Sequence, residues 1–265
     1  MVKKSRKENK TINMTVNCND VADCVAKLFV DNERLTMFSR GSAVYGTMTK
    51  ESDRDMAIVV ADDTDFIDQD GVFDNEKCDI RLHQFSIEMM DVPKTDVQVV
   101  RESDFIDMIN EHTPFALEAI LLTNEVLYNT DDNKKTIADY RQYFKLNKWL
   151  LRESFGSVSN NSFAKAKKKM TVKKDLDMRC GAKSLFHSIR LLMYACQIAE
   201  NGLITDFYVA RPLYTDIFTD LENDFKWDDF KDKYKPVWNE WHSKLVKLCP
   251  KPREKYKKSK KEISE

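Results

Sequence analysis

Residues 41 to 60 constrain the fold more than any other stretch of the chain. Gly41-Ser42 is followed, eleven residues after Ser42, by Asp53 and Asp55 in alternation, and then by the apolar run Met56-Ala57-Ile58-Val59-Val60. The run reads as a strand with the two aspartates at its start. Strand side chains alternate between two faces, so Asp53 and Asp55 point the same way. Two carboxylates side by side on a rigid strand repel each other, and a divalent cation between them removes that cost. The Gly41-Ser42 turn offers backbone N–H groups and a hydroxyl of the kind that hold phosphate. A phosphate grip beside metal-binding carboxylates implies chemistry on a nucleoside triphosphate.

With 265 residues and a hydrophobic fraction of 42%, the chain can bury one large core or two modest ones. It has no apolar run long enough to span a bilayer, so no membrane partner is expected. The basic start, Met1-Val2-Lys3-Lys4-Ser5-Arg6-Lys7, has no apolar stretch behind it and does not read as a secretory signal. Six cysteines are scattered without a paired spacing, which speaks against thiolate metal sites and disulfides and fits a reducing cytoplasm. The net charge of −1 conceals an asymmetry. Residues 1–130 carry 14 Lys+Arg against 25 Asp+Glu, a net of −11, and residues 131–265 carry 29 against 19, a net of +10. The basic half either docks on the acidic half or offers a surface to nucleic acid or triphosphate.

Along the chain, helical spacing is predicted over 19–32, a strand over 35–39, strands at 56–60, 80–87 and 96–100, and helices at 105–109 and 115–122. Pro114 suits a first helical turn. Residues 61–79 read as an acidic loop. The second half is predicted helical at 135–155, 180–200, 214–226 and 228–248, with Gly202 ending the second of these. Residues 158–176 read as a loop or an exposed helix, and residues 1–11 and 250–265 as disordered. The fold class is therefore α+β: a small mixed sheet with flanking helices over 12–130, an all-helical domain over 131–249 and a basic tail over 250–265.

Phosphoryl and nucleotidyl transfer by two cations needs carboxylates around ions roughly 3.5–4 Å apart. A third carboxylate should come from a neighbouring strand. Asp96, opening Asp96-Val97-Gln98-Val99, is favoured, and Asp79 competes by the same logic. A second constellation is Lys183, His187 and Arg190, followed by Tyr194, at spacings that share one helix stripe. Such a stripe suits a polyphosphate: Arg as a planar fork, Lys as a point charge, His as a switchable donor. Leu185, Ile189, Leu192 and Cys196 then face the core. The Lys165, Lys167, Lys168, Lys169, Lys173 and Lys174 cluster is a solvated surface or a binding surface for RNA phosphates. Trp227, Phe230, Trp238 and Trp241 read as core. The chain has no P-loop, no G-x-S-x-G and no Rossmann fingerprint.

Gly41-Ser42 followed by Ser52-Asp53-Arg54-Asp55 and an apolar strand resembles the DNA polymerase beta-like nucleotidyltransferase superfamily. The fuller string Arg40-Gly41-Ser42-Ala43-Val44-Tyr45-Gly46-Thr47, then Glu51-Ser52-Asp53-Arg54-Asp55, is closer to one branch. That branch is the predicted nucleotidyltransferases associated with RNA repair in bacteria and their phages. Asp96-Val97-Gln98-Val99, then His112-Thr113-Pro114-Phe115-Ala116-Leu117-Glu118, is similar to the branch's third-carboxylate strand and its Asn-Pro-x-x-x-Glu helix, with Thr113 where Asn is usual. Lys183, His187, Arg190 and Gly202-Leu203-Ile204 are similar to its Lys-x3-His-x2-Arg helix and turn.

The resemblance implies an active site of Asp53, Asp55 and Asp96, holding two Mg²⁺ ions (or Mn²⁺) with a nucleoside triphosphate, ATP being expected. It also implies phosphate contacts from Gly41, Ser42, Lys183, His187 and Arg190, and a helical domain closing over the nucleotide. The expected activity is transfer of a nucleoside monophosphate to an acceptor hydroxyl, an RNA 3′ end or tRNA in particular. AMP transfer to a protein hydroxyl, or a non-catalytic RNA- or protein-binding role on the same fold, are the alternatives. A cytoplasmic location is expected, the host's if the chain is phage-encoded.

Overall fold

The computed structural model describes residues 10–13, 36–49, 52–63, 67–68, 71–72, 83–89, 92–122, 126–128 and 136–252. The helix predicted over 19–32, Asp79 and the tail beyond residue 252 lie outside the described residues. In chain order the elements are β1 (Lys10–Asn13), β2 (Thr36–Arg40), α1 (Ser42–Tyr45), β3 (Arg54–Val60), β4 (Ile67–Asp68) and β5 (Gly71–Val72). β6 (His83–Met89), β7 (Val92–Arg101), α2 (Glu102–Asn110), α3 (Pro114–Ile120) and β8 (Val126–Tyr128) follow. The helical region holds α4 (Lys148–Thr171), α5 (Met178–Asn201), α6 (Arg211–Glu222) and α7 (Trp227–Leu248), with 3₁₀ turns at Ile137–Tyr143 and Lys173–Asp175.

Six strands make one mixed sheet in the order β1-β6-β7-β3-β2-β8. β3 and β7 run parallel, while β2 is antiparallel to β3 and β6 to β7. β4 and β5 form a separate two-stranded ladder within the stretch that reads as an acidic loop. Strands of two residues are too short for their period to show in sequence. Met56 through Val60 are at most 6% exposed, so both faces of β3 are covered. An unbroken apolar run is what a strand buried on both faces requires. On one face Phe38, Ala57, Val59 and Val100 join the core with α2 and α3. Along that same face the residues turn polar at Arg40, Asp55 and Asp96, which lie in one register row.

Thr113 caps α3, its hydroxyl accepting from the Ala116 N–H at 3.4 Å, and Pro114 takes the first turn, where its missing N–H costs nothing. His112, buried and at φ 57°, receives the Asn147 N–H on Nε2 at 2.9 Å. A backbone amide only donates, so Nδ1 carries the ring proton and donates it to Asn110 O at 3.0 Å. Burial lowers this imidazole's proton affinity, which keeps it neutral. His112 thereby fastens the turn after α2 to the start of α4.

The helical prediction over 135–155, with 158–176 undecided, is corrected by α4, which is one continuous helix from Lys148 to Thr171. The polar run that obscures it contains Ser159, which is fully buried. Its hydroxyl donates to Ser188 O at 2.6 Å and accepts from Trp238 Nε1 at 2.9 Å. Satisfied in this way, a serine continues the buried stripe of Leu151, Phe155, Ala166 and Met170. α5 starts at Asp177, whose carboxylate accepts from the Cys180 N–H at 2.9 Å, and ends at Gly202 with φ 76°. Trp227, Phe230 and Trp238 are buried and Trp241, partly buried, packs against the core. Apolar packing continues without a break from the sheet to α7. No helix among the described residues is long and apolar enough to cross a membrane.

Candidate active site

A cavity of about 710 Å³ opens where the polar end of the sheet meets α4 and α5. Its sheet-side wall holds Gly41, Ser42, Asp53, Asp55 and Asp96. Asp55 and Asp96 are direct partners on the parallel strands β3 and β7, so their side chains share a face. Asp53 stands just before β3, exposed, and reaches the same cavity. On the other side of Asp55, Arg40 is its partner on β2. The Arg40 guanidinium bonds Gln98 Oε1 and lies 4.1 Å over the Phe115 ring.

Gly41 brings the turn against the carboxylates. Its φ of 65° and ψ of −145° suit glycine, and a Cβ there would stand 1.8 Å from Asp55 Oδ2. The N–H groups of Val44 and Tyr45 return to Gly41 O, and Thr47 N–H returns to Ser42 O. The earlier N–H groups of Ser42 and Ala43 are not used within the turn.

The helical wall is cationic. Lys183 and Arg179 from α5 and Lys165 from α4 line the cavity and are exposed on it. His187, Phe186, Cys180 and Ser184 from α5 and Tyr214 from α6 line it as well. Of the residues singled out from sequence, Gly41, Ser42, Asp53, Asp55, Asp96, Lys183 and His187 are brought together here. Arg190 is not. It is 3% exposed, with Nη1 3.0 Å from Glu118 Oε1 and its guanidinium 3.6 Å over the Tyr45 ring. Tyr45 O–H donates to the other Glu118 oxygen at 2.7 Å. Tyr194 is fully buried too, donating to Phe207 O at 2.6 Å. The stripe read as one phosphate-facing surface therefore ends after His187. Nor is His187 a switchable donor: burial and the surrounding Arg190, Lys165, Lys183 and Arg40 charges push its pKa down to about 3.

Arg179 lines the cavity without having been singled out from sequence. It stands four residues before Lys183 and extends the same stripe by one turn, which is the signal that points to it. The anchoring role of Glu118 and Tyr45 has no such signal, because it depends on three distant segments meeting.

Among the described residues no three carboxylate, imidazole or thiol groups close up into a metal cage. Asp53, Asp55 and Asp96 are nonetheless the hard oxygen donors that Mg²⁺ takes. Burial raises the Asp55 pKa, Arg40 and Lys183 oppose it, and the negative charges of Asp96 and Asp53 raise it further. A cation in this corner would offset that repulsion, so the donor set fits Mg²⁺. Lys94 Nζ approaches Asp96 Oδ1 only to 3.9 Å.

No family model and no curated protein matches the chain. Among solved structures, it is similar to a nucleotidyltransferase-like protein from Exiguobacterium sibiricum 255-15, at 9% identity and TM-score 0.29, covering 86% of this chain and 72% of that one. It is also similar to an aminoglycoside 6-adenyltransferase from Bacillus subtilis, at 10% identity and TM-score 0.26, covering 86% and 89%.

Proposed function

We propose that this pocket moves a nucleoside monophosphate from a nucleoside triphosphate to an acceptor hydroxyl. One observation carries the reading: three aspartates, an open phosphate-type turn and three cationic side chains line a single cavity. The Ser42 hydroxyl and the N–H groups of Ser42 and Ala43 hold β- and γ-phosphate oxygens. Lys183, Lys165 and Arg179 offset their charge across the cavity. Asp53, Asp55 and Asp96 would hold Mg²⁺, or Mn²⁺ in its place, which would supply Lewis acidity toward the acceptor hydroxyl and positive charge toward the triphosphate. Asp96 accepts the acceptor's proton. The acceptor oxygen then bonds to the α-phosphorus as its bond to the bridging oxygen breaks, and pyrophosphate leaves. Arg190 serves as an anchor rather than a phosphate ligand.

ATP is the proposed donor and an RNA 3′ end the proposed acceptor. Support for RNA comes from the +10 charge of residues 131–265 and from exposed Lys167 and Lys168, which continue from Lys165 beside the pocket. The test is incubation of the full chain with Mg²⁺, each α-labelled nucleoside triphosphate and total RNA. Label should enter RNA and vanish with Asp53→Ala and Asp55→Ala. Label on protein instead would replace the acceptor with a protein hydroxyl. No transfer to RNA, protein or small acceptors with any of the four nucleotides would end the enzymatic reading.

A further inference from the structure

Glu118, Arg190 and His187 form a chain of contacts that ends in the pocket. Glu118 takes Arg190 Nη1 on one oxygen at 3.0 Å and the Tyr45 O–H on the other at 2.7 Å. Arg190 is thus held at one edge, with Tyr45 3.6 Å below its plane and Tyr194 at 4.8 Å. Its remaining edge meets the imidazole: Nε lies 3.4 Å and Nη2 3.3 Å from His187 Nδ1. A guanidinium has five donors and no acceptor, so the Nδ1 it faces must present a lone pair. The ring proton then sits on Nε2.

His187 lines the cavity, and among the described residues no protein group bonds Nε2. Nor is Nε2 among the sealed polar atoms that lack a partner. The titratable and charged groups facing the ring are Arg190 and Lys183 on α5, Lys165 on α4, Arg40 on β2 and Tyr45 on α1, the last edge-to-face at 5.8 Å. Four of these five are cationic, so a second proton on the ring is opposed from every side.

We propose that Arg190 is a positioning residue: gripped by Glu118, it fixes His187 as the Nε2–H tautomer and so presents a neutral N–H donor to a phosphate oxygen in the pocket. The arrangement explains why an arginine that never reaches the cavity stands one turn behind residues that do. It supplies direction where Lys183 supplies charge. The identity of the phosphate as that of a nucleoside triphosphate rests on the nucleotidyltransferase reading; the tautomer does not.

Long-range ¹H–¹⁵N correlation spectra of the full chain carrying ¹⁵N-histidine test the tautomer, with His187→Gln identifying which signals belong to His187. The expected result is a single Nε2–H tautomer that holds from pH 5 to 8. An Nδ1–H form, a mixture, or titration within that range in the unaltered chain would overturn the proposal. Arg190→Lys keeps a charge for Glu118 but removes the planar fork. In folded Arg190→Lys the His187 signals should move to mixed tautomers, and an unchanged spectrum counts against Arg190. ATP in the presence of Mg²⁺ is the binding probe. His187→Gln should weaken it about tenfold, the worth of one hydrogen bond to a charged group. Unchanged affinity would remove the donor role. If the unaltered chain fails to bind ATP, the nucleotidyltransferase reading and the donor's target fall together, while the tautomer stands or falls on the spectra.

Discussion

Lys183 and Arg190 stand about two turns apart on one face of α5, and in sequence they look interchangeable. Lys183 is exposed on the cavity, with Asp55 within electrostatic reach. Arg190 is buried and locked to Glu118 under the Tyr45 ring. The difference lies in what is packed opposite. Against Arg190, α3 brings a carboxylate and α1 an aromatic ring. Against Lys183 there is open space and the acidic edge of the sheet. A cation becomes a ligand-binding group only where the fold withholds a partner, and becomes an anchor where it provides one.

That contrast can be broken or sharpened by measurement, the largest effect coming from the carboxylates that face the open end. Asp53→Ala and Asp55→Ala should each lower kcat/KM for label transfer by at least about a thousandfold, ~4 kcal/mol of barrier, with no loss of stability in unfolding curves. A drop under tenfold would deny them a place at the reacting atoms. Next comes the closed end. Arg190→Met leaves Glu118 as a buried charge without its cation and should cost about 3 kcal/mol in denaturant unfolding. A cost below about 1 kcal/mol would show that Glu118 finds other partners.

A third effect follows from His187. Its folded pKa of about 3 lies below the ordinary 6.5, so on acidification the unfolded chain binds the proton first. The stability is fully present above about pH 6.5 and is lost as pH falls towards 3, at up to ~1.4 kcal/mol per pH unit. His112 is depressed in the same direction and adds to the slope. His187→Gln should flatten the dependence of unfolding free energy on pH between about 6.5 and 4; an equally steep curve would mean that His187 is not desolvated. The smallest stability change belongs to Lys183→Ala, within about 0.5 kcal/mol because no packing is lost at an exposed site. Its effect should appear in KM for the triphosphate, and a destabilisation comparable to that of Arg190→Met would erase the distinction between the two ends.

Local patterns are legible in the sequence. The turn at Gly41, the strand after Asp55, the cap at Thr113-Pro114 and the termination of α5 at Gly202 follow from neighbouring residues and backbone preferences. α4 is less legible because Ser159 breaks the apolar period while being buried, and its bonds to Ser188 and Trp238 come from residues 29 and 79 positions away. The role of Glu118 is hidden for the same reason, its partners lying 72 and 73 positions off.

By itself the sequence determined which side chains could do chemistry: the spacing of Asp53 and Asp55, the glycine that lets a turn approach them, and the periodic cations of α5. Such features depend on one strand or one helix, whose geometry repeats with its residues. Only the tertiary structure decided that Asp96 stands beside Asp55, that Arg179 and Lys165 close the opposite wall, and that the cationic stripe divides after His187. Those outcomes depend on strand register and helix packing, set by apolar surfaces far from the polar residues they bring together.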